Sequence, residues 1–136
     1  MGQIVVAVKG LATRDGRLLL IRRAPDQPGP HVWEGVGGKV EFGEQLCDAL
    51  RREFREEVGL SVEVGPLLYA STRVFSAELQ LVVLVYACVA GDGDIRLSFE
   101  HVDARWVDAA EARTLLPEDI LSEIEQSRAF EALGLG

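Results

Sequence analysis

The chain has 136 residues and a net charge of -8, with 48% hydrophobic and 26% charged residues. This size and composition predict one globular domain over residues 1–136 and exclude a disordered or fibrous protein. Negative charge disfavours a nucleic acid polymer as partner, because phosphate backbones bind clustered Lys and Arg. We find no apolar run of the roughly 20 residues that cross a membrane and no signal peptide, so we expect a cytoplasmic protein with no membrane partner.

The first part of the chain is predicted to form strands. Gln3–Thr13 and Arg17–Arg23 have the composition of strands, and Arg14-Asp15-Gly16 between them predicts a hairpin turn. The three prolines of Ala24–Pro30 predict a loop. A short extended segment follows around Val32–Val36.

A helix is predicted next. Apolar residues recur every four positions from Leu46 to Phe54, which predicts a helix over Gln45–Val58. Gly59 is suited to end it. We expect Gly38 and Gly59 to form tight turns on either side of the helix, because glycine adopts backbone angles that other residues avoid.

Strands and helices then alternate. Val62–Thr72 and Leu79–Ala90 are predicted strands, and the second is apolar enough to be covered on both faces. A short strand is predicted over Arg105–Val107. The capping-box spacing that begins at Asp108 predicts a short helix to about Leu116, and a last helix is predicted from Pro117 to about Leu133. This order indicates an α/β fold, with helices on more than one side of a sheet.

The central helix carries three carboxylates on one side. Glu53, Glu56 and Glu57 stand at i, i+3 and i+4, within about 100° of arc. A solvated charged face would explain many such helices, but here Glu57 falls between Leu46 and Leu50, inside the apolar stripe. A carboxylate directed at the core is costly unless it is paired or binds a metal. Mg²⁺ is the expected partner, since it prefers carboxylate oxygens and bridges to phosphates.

The same region carries a longer motif. Gly38 is followed after five residues by Glu44 and after seven more by Arg52-Glu53-Phe54-Arg55-Glu56-Glu57-Val58-Gly59-Leu60. This pattern resembles the complete Nudix box, the signature of the Nudix hydrolases (MutT-like). Val36 stands where relatives often have proline. The resemblance implies an α/β/α sandwich with a mixed β-sheet and a catalytic helix after the Gly37-Gly38 loop.

The resemblance also implies the metal site and the reaction. Glu53, Glu56 and Glu57 are expected to ligate Mg²⁺, with Mn²⁺ as the alternative, and the backbone carbonyl of Gly37 or Gly38 to add an oxygen. The expected reaction is attack of water on phosphorus in a phosphate anhydride bond, with a carboxylate taking the proton.

Further roles concern the residues around these ligands. Arg52 is expected to orient Glu53 by a salt bridge. Glu44 is expected in the first helical turn, where its charge suits the helix dipole, and its role stays open between structure and catalysis. Glu53, Glu56 and Glu100 remain alternative general bases.

Substrate contacts are expected outside the motif. Arg23 is a candidate for binding phosphates, whereas a solvated side chain is favoured for Arg73. Trp33 and Phe75 are candidates for stacking on a base, with core packing as the alternative for both. We assign no catalytic role to His101, which has no partner at metal-ligand spacing.

Markers of Nudix subgroups narrow the substrate. Phe75-Ser76 stands where ADP-ribose hydrolases tend to have proline, and Ala77-Glu78 where dinucleoside polyphosphate hydrolases tend to have tyrosine. The run from Trp33 to Glu41 resembles members that cleanse the nucleotide pool. A nucleoside or deoxynucleoside triphosphate is therefore the expected substrate. The alternatives are ADP-ribose or a nucleotide sugar, and a Nudix-like sensor module without catalysis; a homodimer stays open because relatives are often dimers.

Overall fold

The computed structural model describes residues 1–28 and 31–135, which form one mixed sheet flanked by helices. The strands are β1 (Gln3–Arg14), β2 (Arg17–Arg23), β3 (Trp33–Glu34), β4 (Val36–Lys39), β5 (Val62–Val74), β6 (Leu79–Ala90) and β7 (His101–Val107). The helices are α1 (Leu46–Val58), α2 (Ala109–Leu115), α3 (Glu118–Gln126) and α4 (Ala129–Ala132). Gly29 and Pro30, the end of the loop predicted over Ala24–Pro30, lie outside the described residues.

Strand β1 lies at the centre of the sheet. It pairs in parallel with β6 on one side, and on the other side it pairs antiparallel with β4 and, near its end, with β2. Strand β2 also pairs antiparallel with β3 and β7, and β5 pairs antiparallel with β6. The predicted mixed sheet is therefore confirmed.

The predicted hairpin between β1 and β2 is present. Arg14 pairs with Arg17, so Asp15 and Gly16 form a two-residue turn. Both have positive φ, 53° and 75°. Such a turn suits the right-handed twist of antiparallel strands.

Helices cover both faces of the sheet. On one face α1 packs its apolar stripe on the sheet, and its Phe54 is completely buried, which contributes about 2–3 kcal/mol of hydrophobic stabilisation. On the other face α2, α3 and α4 bury residues such as Ile124 and Phe130 against β1, β2 and β6. The α/β/α sandwich is confirmed. Within the described part of the chain, no helix combines the length and apolar character needed to span a bilayer.

Three predicted elements differ from the structure. The strand predicted over Arg105–Val107 begins at His101, because the whole segment pairs with β2. The single helix predicted to run to Leu133 is broken at Arg128, whose φ of 59° is left-handed and ends the regular helix. The extended segment near Val36 divides into β3 and β4, which pair with different strands.

The paired glycines also differ from expectation. Gly37 and Gly38 lie within β4 and pair with Lys9 and Val8 of β1. The Gly37-Gly38 loop is therefore a strand, and the turn that leads to α1 comes after it. This pairing could not be inferred locally, because it joins segments about 30 residues apart in the chain.

Candidate active site

Helix α1 places two of its glutamates at the edge of the core. Glu53 and Glu57 are 9% and 7% exposed, whereas the Glu56 side chain is 60% exposed. Glu57 lies among the buried apolar residues of α1, as helical spacing predicted. Gly59 ends the helix with a φ of 71°, its N–H donates to the carbonyl of Arg55, and the N–H of Leu60 donates to that of Phe54. The helix thus directs two carboxylates towards β4.

The glycines of β4 make room for these carboxylates. A Cβ atom at Gly38 would lie 2.6 Å from Cδ of Glu53. Glu57 accepts a hydrogen bond from the backbone N–H of Gly37. Gly38 lies in β4 and does not have positive φ, so the expectation of a tight turn there is wrong. Its role is to let the strand approach the Glu53 carboxylate.

Arg52 joins most of the remaining acidic side chains. Its Nε and Nη2 donate to the two oxygens of Glu44 at 2.8 and 3.0 Å, and Nη1 donates to Glu53 at 3.0 Å and to Glu56 at 3.3 Å. Nη2 also donates to the carbonyl of Lys39 at 3.0 Å. The guanidinium therefore ties α1 to β4 and restricts the orientation of Glu53.

Glu44 is not in the first helical turn. Helix α1 begins at Leu46, and Glu44 precedes its N-cap, Gln45. The Glu44 carboxylate binds Arg52 with both oxygens and also accepts from the N–H of Glu41 at 3.0 Å. The hydrogen bond from Arg52 lowers the pKa of Glu44. The contact with Arg52, and not the helix dipole, therefore accounts for a negative charge at Glu44.

Burial makes the ionised forms of Glu53 and Glu57 unfavourable. Burial, reinforced by the charge of Glu53, raises the pKa of Glu57 to about 8. Burial also raises the pKa of Glu53, although Arg52 opposes this. The Oε2 atom of Glu57 is buried and has no hydrogen-bond partner. A buried anionic oxygen without a partner is costly, so this position favours a bound cation.

These donors fit a hard divalent cation. Glu53 and Glu57 supply carboxylate oxygens, and the unpartnered Oε2 of Glu57 is available for coordination. Across residues 1–28 and 31–135, no three His, Cys, Asp or Glu side chains are close enough together to hold an ion. Glu56, the third predicted ligand, binds Arg52. Its metal role, and that of the carbonyl of Gly37 or Gly38, stays a prediction.

Glu100 and Arg23 lie near the buried glutamates of α1. Arg23 Nη1 and Glu100 Oε2 are 3.6 Å apart, and the charge of Glu100 contributes to the raised pKa of Glu53. Glu100 immediately precedes β7, and the next residue, His101, is 7% exposed. The structure thus groups Glu100 with the carboxylates of α1, although the two are far apart in sequence.

A cavity of about 480 Å³ opens beside β4. Its floor crosses β1, β6 and β5, and α3 forms one wall. One end contains Gly37, Gly38 and Arg23, and the other contains Arg73 and residues of α3. Its lining combines apolar side chains with seven charged ones, and small-molecule sites commonly join an apolar surface to placed polar groups.

The candidate substrate-binding residues differ in whether they line the cavity. Phe75 is 53% exposed and lines the cavity, as does Arg23. Trp33 is 7% exposed between the guanidinium groups of Arg22 and Arg105, 5.2 and 5.0 Å from the ring centre, and does not line the cavity. Of the two roles expected for Trp33, core packing is therefore the one that the structure supports. Arg73 is not a solvated side chain, because it pairs with two carboxylates of α3.

Most residues of the cavity were not predicted from the sequence, among them a charged pair. Lys9 and Glu34 contact each other and both line the cavity, and Lys9 also donates to the carbonyl of Gly35 at 3.2 Å. The only sign of this pair in the sequence was Lys9, a lysine inside the otherwise apolar strand β1. Strand alternation places it on the face of Ala7 and Leu11, opposite α1.

Known proteins share this fold. The NUDIX domain family matches residues 2–128. The chain belongs to the NUDIX family. The nucleoside triphosphatase NudI of Escherichia coli O81 (strain ED1a) is 34% identical over 108 residues, covering 71% of this chain and 77% of that protein. This Nudix protein is therefore a hydrolase, which removes the sensor alternative, and Nudix hydrolases generally use divalent metal ions.

Solved structures agree with the family assignment. The MutT protein of Methanosarcina mazei Go1 has a TM-score of 0.85 at 24% identity, with 96% of each chain covered. The MutT NUDIX hydrolase of Burkholderia pseudomallei has a TM-score of 0.75 at 30% identity, covering 91% of this chain and 98% of that one. The first shows the fold, and the second also shares the family.

Proposed function

We propose that this Nudix hydrolase cleaves a nucleoside or deoxynucleoside triphosphate to the monophosphate and pyrophosphate with Mg²⁺, or alternatively Mn²⁺. The observation that carries the proposal is the buried, unpartnered Oε2 of Glu57 beside Glu53, whose carboxylate packs against Gly38, a residue that lines the cavity. Glu53 and Glu57 would hold the cation as they stand, and Glu56 would join them by turning away from Arg52. When bound, the cation supplies charge neutralisation for the phosphates and lowers the pKa of a coordinated water.

The surrounding residues orient these ligands. Arg52 fixes the Glu53 carboxylate, and Glu44 and the carbonyl of Lys39 in turn hold Arg52. A planar guanidinium with several fixed donors suits this role better than a flexible ammonium group. Removing either partner of the Arg52 to Glu44 contact would loosen Glu53, so we place Glu44 in the catalytic assembly as a positioning residue.

Glu100 is the general base that we favour over Glu53 and Glu56. The other two are proposed metal ligands and already accept hydrogen bonds from Arg52, so their oxygens are engaged. Glu100 faces Arg23, which lines the cavity at the Gly38 end. A base at this place stands between the metal ligands and a residue suited to phosphate binding.

The cavity and the NudI relatives support a triphosphate substrate. Arg23 lies at the Gly38 end, where phosphates would meet the glutamates, and the apolar floor suits a nucleoside. Phe75 remains the candidate for stacking on a base. The absence of subgroup markers favours triphosphates over ADP-ribose or a nucleotide sugar, which remains the second candidate.

The test is a Mg²⁺-dependent screen for release of phosphate or pyrophosphate. It compares nucleoside and deoxynucleoside triphosphates, ADP-ribose, dinucleoside polyphosphates and nucleotide sugars. We expect triphosphates to give the highest kcat/KM, and Glu56→Gln to lower it by at least about a hundredfold. Glu63→Gln, at an exposed position of β5, is the matched control and should retain full activity. Equal turnover by wild type and Glu56→Gln would contradict the proposal.

A further inference from the structure

The segment that carries Glu100 is tied to the end of α1. The N–H of Arg96 donates to the carbonyl of Val58 at 2.8 Å, and the N–H of Ser98 donates to the carbonyl of Glu57 at 3.0 Å. The second bond ends on the backbone of the buried glutamate itself. The chain between β6 and β7 is therefore connected directly to a residue of the candidate metal site.

Ser98 and His101 close a turn around Glu100. The N–H of His101 donates to the carbonyl of Ser98 at 3.2 Å, and Ser98 Oγ and His101 Nδ1 are 3.3 Å apart, at the long end of a hydrogen bond. His101 is 7% exposed, so its ring is fixed by the surrounding packing. A backbone bond and a side-chain bond thus join the residues on either side of Phe99 and Glu100.

Glu100 is also held from the opposite side. Its carbonyl accepts from the N–H of Ala24 at 2.8 Å, and its carboxylate faces Arg23 at 3.6 Å. These contacts attach it to the end of β2. Glu100 consequently sits between two anchors, the end of α1 through Ser98 and the end of β2 through Ala24.

We propose that Ser98 and His101 are positioning residues, whose side-chain contact holds the Glu100 carboxylate at a fixed place relative to Glu57. This inference rests on the proposed function, in which Glu100 is the general base. Proton transfer requires the base to stand within hydrogen-bond reach of the attacking water. Holding such a group to within about 0.5 Å depends on supporting contacts of this kind.

The first experiment removes and restores the Ser98 hydroxyl. Ser98→Ala keeps the backbone bonds, so we expect a drop in kcat of about tenfold, an unchanged KM and a Tm within about 3 °C of wild type. Ser98→Thr restores a hydroxyl and should recover most of kcat. Ser122→Ala is the matched control, because it removes an exposed serine hydroxyl that binds Gln126 on α3. Wild-type kcat in Ser98→Ala would overturn the proposal.

The second experiment is a double-mutant cycle with Glu100→Gln. If Ser98 acts through Glu100, Ser98→Ala should change kcat by less than about twofold when Glu100 is already Gln. His101→Asn, whose amide can replace Nδ1, should be less impaired than His101→Phe. Ser98→Ala lowering kcat by the same factor in both backgrounds would indicate a general structural effect and would overturn the proposal.

The outcomes separate this inference from the function on which it rests. If wild type hydrolyses triphosphates but Glu100→Gln keeps full kcat, the base lies elsewhere and the positioning role is wrong, while the proposed hydrolase activity stands. If wild type hydrolyses none of the screened nucleotides, the proposed function fails and the positioning role fails with it.

Discussion

Two of the arginines that bind more than one carboxylate, Arg52 and Arg73, differ in the charge balance and burial of their clusters. The Arg52 cluster is Arg52 with Glu44, Glu53 and Glu56, and the Arg73 cluster is Arg73 with Asp119 and Glu123. Both lie near the cavity, the first at its Gly38 end and the second against α3. Each resembles an ordinary group of salt bridges when considered alone.

The difference lies in what surrounds each arginine. Beside the Arg52 cluster stands Glu57, buried and with one oxygen unpartnered, so carboxylates exceed cations where water is scarce. In the Arg73 cluster the Asp119 side chain is 67% exposed, and water can solvate its charge. An arginine with carboxylates therefore indicates a metal site only where buried negative charge remains unbalanced.

The largest expected effect comes from replacing one carboxylate in each region. Glu57→Gln should lower kcat/KM by at least about a hundredfold, because it removes an oxygen that we propose binds the metal. Glu123→Gln should lower it by less than about threefold, since it disturbs only a partly exposed ion pair. Steady-state kinetics with Mg²⁺ measures both. Similar losses in the two variants would show that the regions do not differ as we propose.

A second test uses two glycines that differ in their surroundings. Gly38→Ala should lower kcat by about tenfold to a hundredfold, because the new Cβ meets the Glu53 carboxylate. Gly43→Ala meets no atom within 4 Å but has a φ of 86°, so it should cost about 1 kcal/mol of stability and leave kcat unchanged. Kinetics and thermal unfolding of both variants distinguish the two effects. Full activity in Gly38→Ala would contradict the proposed close approach.

The pH dependence of stability should also mark the Glu57 region. Its pKa is raised from about 4.5 to about 8, so the folded protein holds this proton more tightly than the unfolded chain. The stabilisation is complete below about pH 4.5 and is lost as pH rises towards 8. Metal requires the ionised form, so the increase in Tm on adding Mg²⁺ should grow between about pH 6 and about pH 8.

Thermal unfolding with a chelator and with excess Mg²⁺ measures this pH dependence. Glu57→Gln is the control, and its Tm should respond little to Mg²⁺ and vary less with pH. Without metal it should be at least as stable as wild type near pH 8, since it lacks the buried charge. A Mg²⁺-induced shift that is the same at all pH values would contradict the assignment of Glu57 as a ligand.

The sequence alone predicted the features that depend on local geometry, such as the apolar stripe of a helix and a hairpin turn. Helical spacing is a property of one segment, so the position of Glu57 among Leu46 and Leu50 followed from about 100° per residue and agrees with its burial. The hairpin at Asp15-Gly16 followed in the same way, because turn chemistry involves only neighbouring residues. The Nudix box added the family and, with it, the order of layers.

Contacts between distant segments were beyond prediction. The approach of Gly38 to Glu53 depends on the pairing of β4 with β1, and the burial of Trp33 depends on Arg105 of β7. The bonding of Ser98 to the end of α1 is likewise non-local. No periodicity within one segment carries such information, so the walls of the site emerged only from the folded chain.

The smallest expected effect is that of Arg73→Met, which we compare with Arg52→Met. Arg73→Met should cost no more than about 1 kcal/mol, because its partners are partly exposed and water replaces part of each lost ion pair. Its kcat should stay within about twofold of wild type, with a modest rise in KM because Arg73 lines the cavity. Arg52→Met instead frees Glu53 and Glu44 together, so kcat should fall by about tenfold or more. Thermal unfolding and steady-state kinetics compare the pair, and equal losses of kcat would mean that the position of Glu53 does not depend on Arg52.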